Sequence, residues 1–463
     1  MSGPIRLEPP DGRDDTLMLR LATESTMTLR LPGRRRAARW GKDAAVDRLA
    51  AQLAEQIGPA VHAYEVAAVL ESEGLTARQI ADEYGHDNLF ALAEDLYRRV
   101  PRSFPEPPAA ADPWKPDPVR CGLRGALFAL PGLAYPLTAR LWQSDRAVLA
   151  LIVAGLISWA WGQGLGHRAY LRMASGRAEA ARTLLAGAPL GALLAFTAGL
   201  AIAGPSPAVY FVAGQSCYLA AAGVLLVLAR ERLLLGALTP LMAGAAALPF
   251  KEPGAPLRIG ISVFTLALVV GAVAYVLRGT LKLPAAVAPV TPRLVSSLPY
   301  GLFGLAAGVL VAFAGQRHPL AVIALTLSMG PAEWLLYRYR GLSVAALRAT
   351  ATPAAFRWRS AAVLGGCLLV YLAPLVPAAL LTGAEPAPLL ALAALLWTAL
   401  LLQAFGIAWL PAAVSLAAAA GIAAADLLAP PPGPLIELLC CSAAALALTG
   451  ATLHLLGRPT AHA

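Results

Sequence analysis

Two patterns of apolar spacing divide the chain. From about residue 120 onward, apolar runs of about 20 residues recur, each long enough to cross a bilayer core of about 30 Å as a helix. Before residue 103 the apolar residues are spaced for one helix face instead. Val46, Leu49, Leu53 and Ile57 fall at helical intervals, and they predict an amphipathic helix over residues 43–57. Pro59 is placed to start a second helix, through His62, Tyr64 and Val66 to about Glu73, which Gly74 ends. Thr76 caps a short third helix, with Gln79 in the capping-box position, and Gly85 breaks it. A fourth runs from about Asn88 to Val100, with Leu89, Leu92 and Leu96 on one face.

The apolar runs predict twelve spans. The first six lie near residues 121–142, 147–166, 183–204, 207–229, 233–250 and 257–277. The second six lie near 294–315, 319–337, 361–382, 387–409, 411–428 and 434–457. The expected fold is therefore an all-α polytopic membrane protein of about twelve transmembrane helices, with a small N-terminal cytoplasmic helical domain. Its parts are a disordered tail over 1–41, the helical domain over 42–102, a Pro-rich linker over 103–120, and membrane segments over 121–282 and 283–463.

Composition agrees. Charged residues make up 14% of the chain and hydrophobic ones 58%, against about 25% charged in a soluble domain. The first 30 residues lack the apolar core of a signal peptide, so the first span is expected to act as the insertion signal. Charge then orients the spans. With the N-terminus in the cytoplasm, the inner connections carry Arg168, Arg172, Arg177 and Arg182; Arg230 and Arg232; Arg278, Lys282 and Arg293; Arg338, Arg340, Arg348, Arg357 and Arg359; and Arg458. The outer connections carry Arg146, Lys251 and Arg317, with Arg140 near an edge. The positive-inside rule thus places both termini in the cytoplasm of a cell membrane.

The two longest basic stretches, His167 to Arg182 and Tyr337 to Arg359, each follow the second span of a six-span set and precede the third. Span one carries Leu127, Phe128, Ala129 and Leu130 where span seven carries Leu302, Phe303, Gly304 and Leu305. An even-numbered repeat is not inverted, so the two six-helix halves are expected to relate by an axis along the membrane normal, with a cavity between them.

Gly162, Gln163 and Gly164 end span two and lead into Arg168, Arg172, Ser175, Gly176, Arg177, Ala181 and Arg182. In these residues and its layout over about 120–460, the chain resembles the multidrug/oligosaccharidyl-lipid/polysaccharide exporter superfamily, in its polysaccharide or lipid-linked oligosaccharide flippase branch. The resemblance implies transport of such a glycan out of the cytoplasm by alternating access, with no cofactor. The major facilitator superfamily shares the loop layout, but its loop signature wants an Asp-Arg pair, and none occurs between His167 and Arg182.

An anionic glycan needs cations and hydrogen-bonding groups in the cavity, and charges within spans are candidates by default. The candidates for substrate binding are Arg124, Arg140, Arg258, Gln163, Gln215, Tyr300 and Gln403, with Glu333 as a coupling site or ion-pair partner. The alternative for the arginines is snorkelling to headgroups. Trp159, Trp161, Trp334 and Trp409 fall near span ends, where belt anchoring is expected.

Two other classes remain open. A membrane glycosyltransferase or polysaccharide polymerase would use carboxylates or histidines in outer loops. Here Asp145, Glu252, His318, Glu385, Asp426 and Glu437 form no recognisable acid–base or metal cluster. A membrane scaffold would use residues 42–102 to recruit a cytoplasmic protein partner. Residues 75–81 look like the opening of a helix-turn-helix unit, but acidic residues outnumber basic ones over 42–102, which argues against nucleic acid. His62 and His86 lack a second ligand at metal spacing, and the five cysteines read as small packers, so no metal is expected. Expected partners are the glycan, membrane lipids and a protein bound by residues 42–102.

Overall fold

The computed structural model describes residues 36–104, 115–250, 253–284, 292–428 and 434–462. It divides into two compact units, Met1–Ala111 and Asp112–Ala463. The tail expected over 1–41 (apart from residues 36–41), most of the linker, and Lys251 and Glu252 lie outside the described residues.

The first unit is a small all-helical fold: α1 (Arg36–Gln52), α2 (Ala54–Ile57), α3 (Ala63–Ser72), α4 (Ala77–Gln79) running into a π turn (Ile80–Tyr84), and α5 (Leu89–Arg99). Val46, Ile57, Val66, Leu70, Ile80, Leu92 and Leu96 form its buried core, as the helical spacing predicts. The Thr76–Gln79 capping box is present, and Asn88 caps α5 by accepting from the Ala91 amide. Gly74 and Gly85 both adopt a φ of 73°, the left-handed stop a glycine makes readily. One boundary differs from the sequence reading. Pro59 does not open α3; His62 does, its Nδ1 accepting from the Tyr64 amide at 3.3 Å. That bond gives His62 a capping role.

Arg99 ties this unit together. It donates to Asp47 at 2.6 Å, to Asp95 at 2.9 Å and to Asp43 at 3.4 Å, and His86 meets Asp95 at 3.2 Å. Partial burial alone pushes the Asp95 carboxyl up, but the Arg99 hydrogen bond and charge, with His86, outweigh it and hold the group below its usual 3.8. A carboxyl with a depressed folded value stabilises above its unfolded value and loses that contribution as pH falls through the folded one. The protection factors of the α5 amides, exchange relative to the unfolded chain at the same pH, are therefore expected to fall on acidification below pH about 4, and Asp95→Asn to flatten that dependence. An unchanged acid limb in the variant would show that Asp95 contributes nothing.

The second unit holds ten helical segments long and apolar enough to cross a membrane, among the described residues and judged by length and composition. They are α8 (Asp145–Met173), α9 (Arg177–Ala203), α10 (Ala208–Val227), α12 (Ala255–Leu281), α13 (Leu298–Arg317, entered through Leu294–Ser296), α14 and α15 (Pro319–Leu327 and Met329–Arg348), α16 and α17 (Pro353–Leu372 and Leu375–Leu381), α18 (Pro386–Ala404), α19 (Trp409–Leu428) and α20 (Pro434–Leu456). The remaining two expected spans are present but altered. Span one is broken into α6 (Pro118–Ala129), a 3-10 turn (Leu130–Leu133), α7 (Ala134–Thr138) and a second 3-10 turn (Ala139–Leu141). Pro131 and Pro136 supply the break, since each removes a helical hydrogen bond. Span five is α11 (Glu231–Ala247), 17 residues with Pro240 inside. The two basic stretches are mostly helical: α8 and α9 are separated by residues 174–176, and α15 and α16 by residues 349–352.

The two six-span sets pack alike. In the first, α8 packs on α9, α10 on α12, α11 on α12, and α6 on α11. In the second, the equivalent pairs recur: α15 on α16, α18 on α20, α19 on α20, and α13 on α19. Each half has its own buried core, one around Leu184, Leu225, Leu234 and Leu238, the other around Trp397, Leu392, Leu401 and Tyr339. Trp161 packs within the first half. Its Nε1 donates to the Gly187 carbonyl at 2.8 Å, and its ring lies in the space Gly191 leaves. Trp409 is exposed, as a belt residue would be.

Candidate functional site at the crossing of the two halves

Among the described residues, two extensive crossings join the halves, and they are related by exchange: span one packs on span eight, and span two on span seven. Both are built on glycine. At the first, α6 and α15 touch backbone to backbone. A Cβ on Gly125 would lie 2.8 Å from the Gly330 nitrogen, and one on Gly330 would lie 2.7 Å from the Cys121 carbonyl oxygen. At the second, Gly301, Gly304 and Gly308 of α13 face Ala160, Gln163 and Leu156 of α8. Small residues let helices approach closely where apolar burial gives no preference over lipid.

Polar ties accompany both crossings at the basic end of the bundle. Arg124, the residue next to Gly125 on α6, donates Nη1 to Glu333 at 2.6 Å and Nε to Glu231 at 3.0 Å. Its Nη2 reaches the Leu226 carbonyl at 3.3 Å. Arg120 donates to the same Glu231 oxygen at 3.0 Å. Glu231 is buried and within Arg124's own half, whereas Glu333 lies in the other half and is about a quarter exposed. Arg124 thus holds one carboxylate on each side of the boundary. At the second crossing, His167 stacks on Tyr300 with ring centroids 3.6 Å apart, its Nδ1 is 3.1 Å from the Ser297 hydroxyl, and Arg168 donates to the Pro292 carbonyl at 2.9 Å.

The sequence candidates are distributed as follows. Arg124 and Glu333 are joined directly. Gln163 and Tyr300 both sit at the α8–α13 crossing. Gln215 lies within the first half, accepting from the Tyr135 hydroxyl at 3.1 Å and donating to the Leu151 carbonyl at 2.9 Å. Arg258, in the first turn of α12, is buried with its Nε unpartnered. Gln403 is buried near the end of α18, its Nε2 also unpartnered. Arg140 falls in the 3-10 turn Ala139–Leu141, and its side chain lies outside the described part. Among the described residues, no group of three His, Cys, Asp or Glu side chains is placed to hold a metal ion. Cys440 and Cys441 are unbonded thiols, as are the other three cysteines.

Sequence reasoning missed Glu231, Arg120, His167, Ser297 and the Gly125–Gly330 contact. Glu231 was visible only as an acid between Arg230 and Arg232, and its neighbours were read as orientation markers. Glu179 is a parallel case: it lies in the first basic stretch, is buried, and accepts from both Arg172 and Arg182.

The fold and these ties define a multi-pass α-helical membrane protein of two similarly packed halves. No protein-family model matches the chain, and no curated protein is similar to it.

Proposed function

We propose that the chain is a transporter that moves a polysaccharide or lipid-linked oligosaccharide out of the cytoplasm by alternating access, and that it belongs with the multidrug/oligosaccharidyl-lipid/polysaccharide exporters. The observation that carries this reading is the exchange symmetry of the boundary: span one on span eight and span two on span seven. Two halves meeting through a pair of equivalent crossings rock about them and expose the space between to each side in turn. The ties lie at the basic end, which the positive-inside rule assigns to the cytoplasm in this reading, and there they would hold the halves together. Of Gly162, Gln163 and Gly164, which carry the resemblance, Gln163 and Gly164 pack against the start and first turns of α13.

An enzymatic reading draws no comparable support. Of the carboxylates at the opposite end, Glu437 is engaged by Arg317 at 3.2 Å. A scaffold reading has one favourable observation, an aromatic patch on the first unit: Tyr64 packs edge-on against Phe90 at 5.9 Å, and both are exposed beside Val61. That patch is a surface for a protein partner of residues 42–102, compatible with transport by the bundle.

Purified protein in proteoliposomes is expected to move a labelled lipid-linked oligosaccharide across the bilayer. Absence of movement together with glycan synthesis in the same vesicles would replace the transporter with the polymerase.

A further inference from the structure

At the basic end, beside the Arg124 network, the starts of α6 and α11 enclose a cleft of about 290 Å³ lined by Asp117, Arg120, Leu123, Arg230, Glu231 and Arg232, with Val119 and Leu233 at its rim. Its two carboxylates are already engaged. Asp117 accepts from the amides of Val119 and Arg120 at 3.0 and 3.1 Å, and one Glu231 oxygen takes both Arg120 and Arg124. Arg230 and Arg232 are exposed, and no carboxylate lies within ion-pair reach of either among the described residues. The turn presenting them is fixed. Ala229 adopts a φ of 58°, in the left-handed region that a side chain disfavours, and Arg230's amide closes the turn onto the Leu225 carbonyl at 2.8 Å. Arg177 also donates to the Leu228 carbonyl at 2.9 Å. The rim is apolar and open: Val119 is 73% exposed and Leu233 38%.

Unpaired guanidinium groups carried on a fixed backbone turn suit a phosphate oxyanion. The exposed valine and leucine, at the ends of membrane helices, suit a ligand with an apolar part. We infer that this cleft binds the phosphodiester headgroup of an anionic membrane lipid, held by Arg120, Arg230 and Arg232, with the glycerol and upper acyl chain against Val119 and Leu233. The inference needs only that the chain sits in a membrane, so it stands apart from the transport reading. It also gives the lipid an effect. A phosphate that draws Arg120 off Glu231 leaves Arg124 to serve Glu231 and Glu333 alone, which loosens the tie between the halves.

The test is native mass spectrometry of the full chain in detergent, titrated with phosphatidylglycerol and, separately, phosphatidylcholine. Phosphatidylglycerol is expected to bind at least tenfold tighter, and the Arg230→Gln/Arg232→Gln double variant to lose that preference. Arg146→Gln, an exposed arginine at the opposite end, is expected to keep it, and thermal unfolding of all three proteins confirms that they are folded. A double variant that keeps the preference overturns the site, as does equal loss in Arg146→Gln, which would mean a bulk charge effect. Displacement of the lipid by equimolar glycerol phosphate would assign the cleft to a soluble phosphate and overturn the lipid.

Discussion

Arg124→Gln is expected to be the most damaging single change of charge in the bundle. It leaves Glu231 buried with Arg120 alone and Glu333 with no cation from α6. Removing one partner of a buried ion pair costs about 3–5 kcal/mol. With Arg124 and Glu333 each about a quarter exposed, on the order of 3 kcal/mol is the expected loss, after screening by solvent. Unfolding in detergent should shift to lower temperature accordingly. Glu333→Gln should be milder, because Arg124 keeps Glu231. The informative variant is the triple Arg124→Gln/Glu231→Gln/Glu333→Gln. Neutralising a whole buried network is often close to neutral in stability, so much of the lost stability should return, while the tie between halves stays absent. If the tie closes the basic end during transport, the triple variant melts near wild type and still transports at least tenfold more slowly. Wild-type transport in the triple variant would make the network a structural ion cluster with no part in gating.

The sequence made the membrane helices legible because a 20-residue apolar run has few other uses, and ten of the twelve expected spans are long continuous helices or helix pairs. The two exceptions have local causes, Pro131 and Pro136 in span one and the short proline-bearing α11. Hydropathy averages over a window and does not register where a helix breaks. The similarity of the halves was also legible, through the matched basic stretches, although these proved to be helical extensions beyond the apolar runs. The site was less so. Arg124 and Glu333 stood out as charges inside spans, but their pairing joins residues 209 positions apart, and no periodicity encodes which helices cross. Glu231 was hidden by its arginine neighbours. Arg258 and Gln403, chosen by the same logic as Arg124, are buried in separate halves, because a polar residue within a span carries no sign of whether it faces the boundary between halves or the interior of one. Pro59 shows the same limit in the small domain: it satisfies the rule for a first helical position, yet a histidine three residues later supplies the cap.

Gly330→Ala is expected to separate the halves at the first crossing although it adds a single methyl group. The added Cβ would sit 2.7 Å from the Cys121 carbonyl oxygen, and 3.4 Å from the Gly122 Cα. Both neighbours are backbone, so no side chain can rotate away; α6 and α15 must move apart by several tenths of an ångström over their contact. That displacement would lengthen the 2.6 Å Arg124–Glu333 bond one turn away, so a steric change is passed on as an electrostatic one. Overpacking a filled site typically costs about 1–3 kcal/mol, and the upper part of that range is expected here. Gly365→Ala on α16 is the matched control, since a Cβ there meets nothing within 4 Å and replaces glycine with a better helix former. Melting in detergent should fall clearly for Gly330→Ala and hold or rise for Gly365→Ala. Gly125→Ala, with its Cβ 2.8 Å from the Gly330 nitrogen, should behave like Gly330→Ala, because it opens the same contact from the other helix. Equal melting of Gly330→Ala and Gly365→Ala would mean that α6 and α15 do not touch at these glycines, and the exchange-related pair of crossings would lose one of its members.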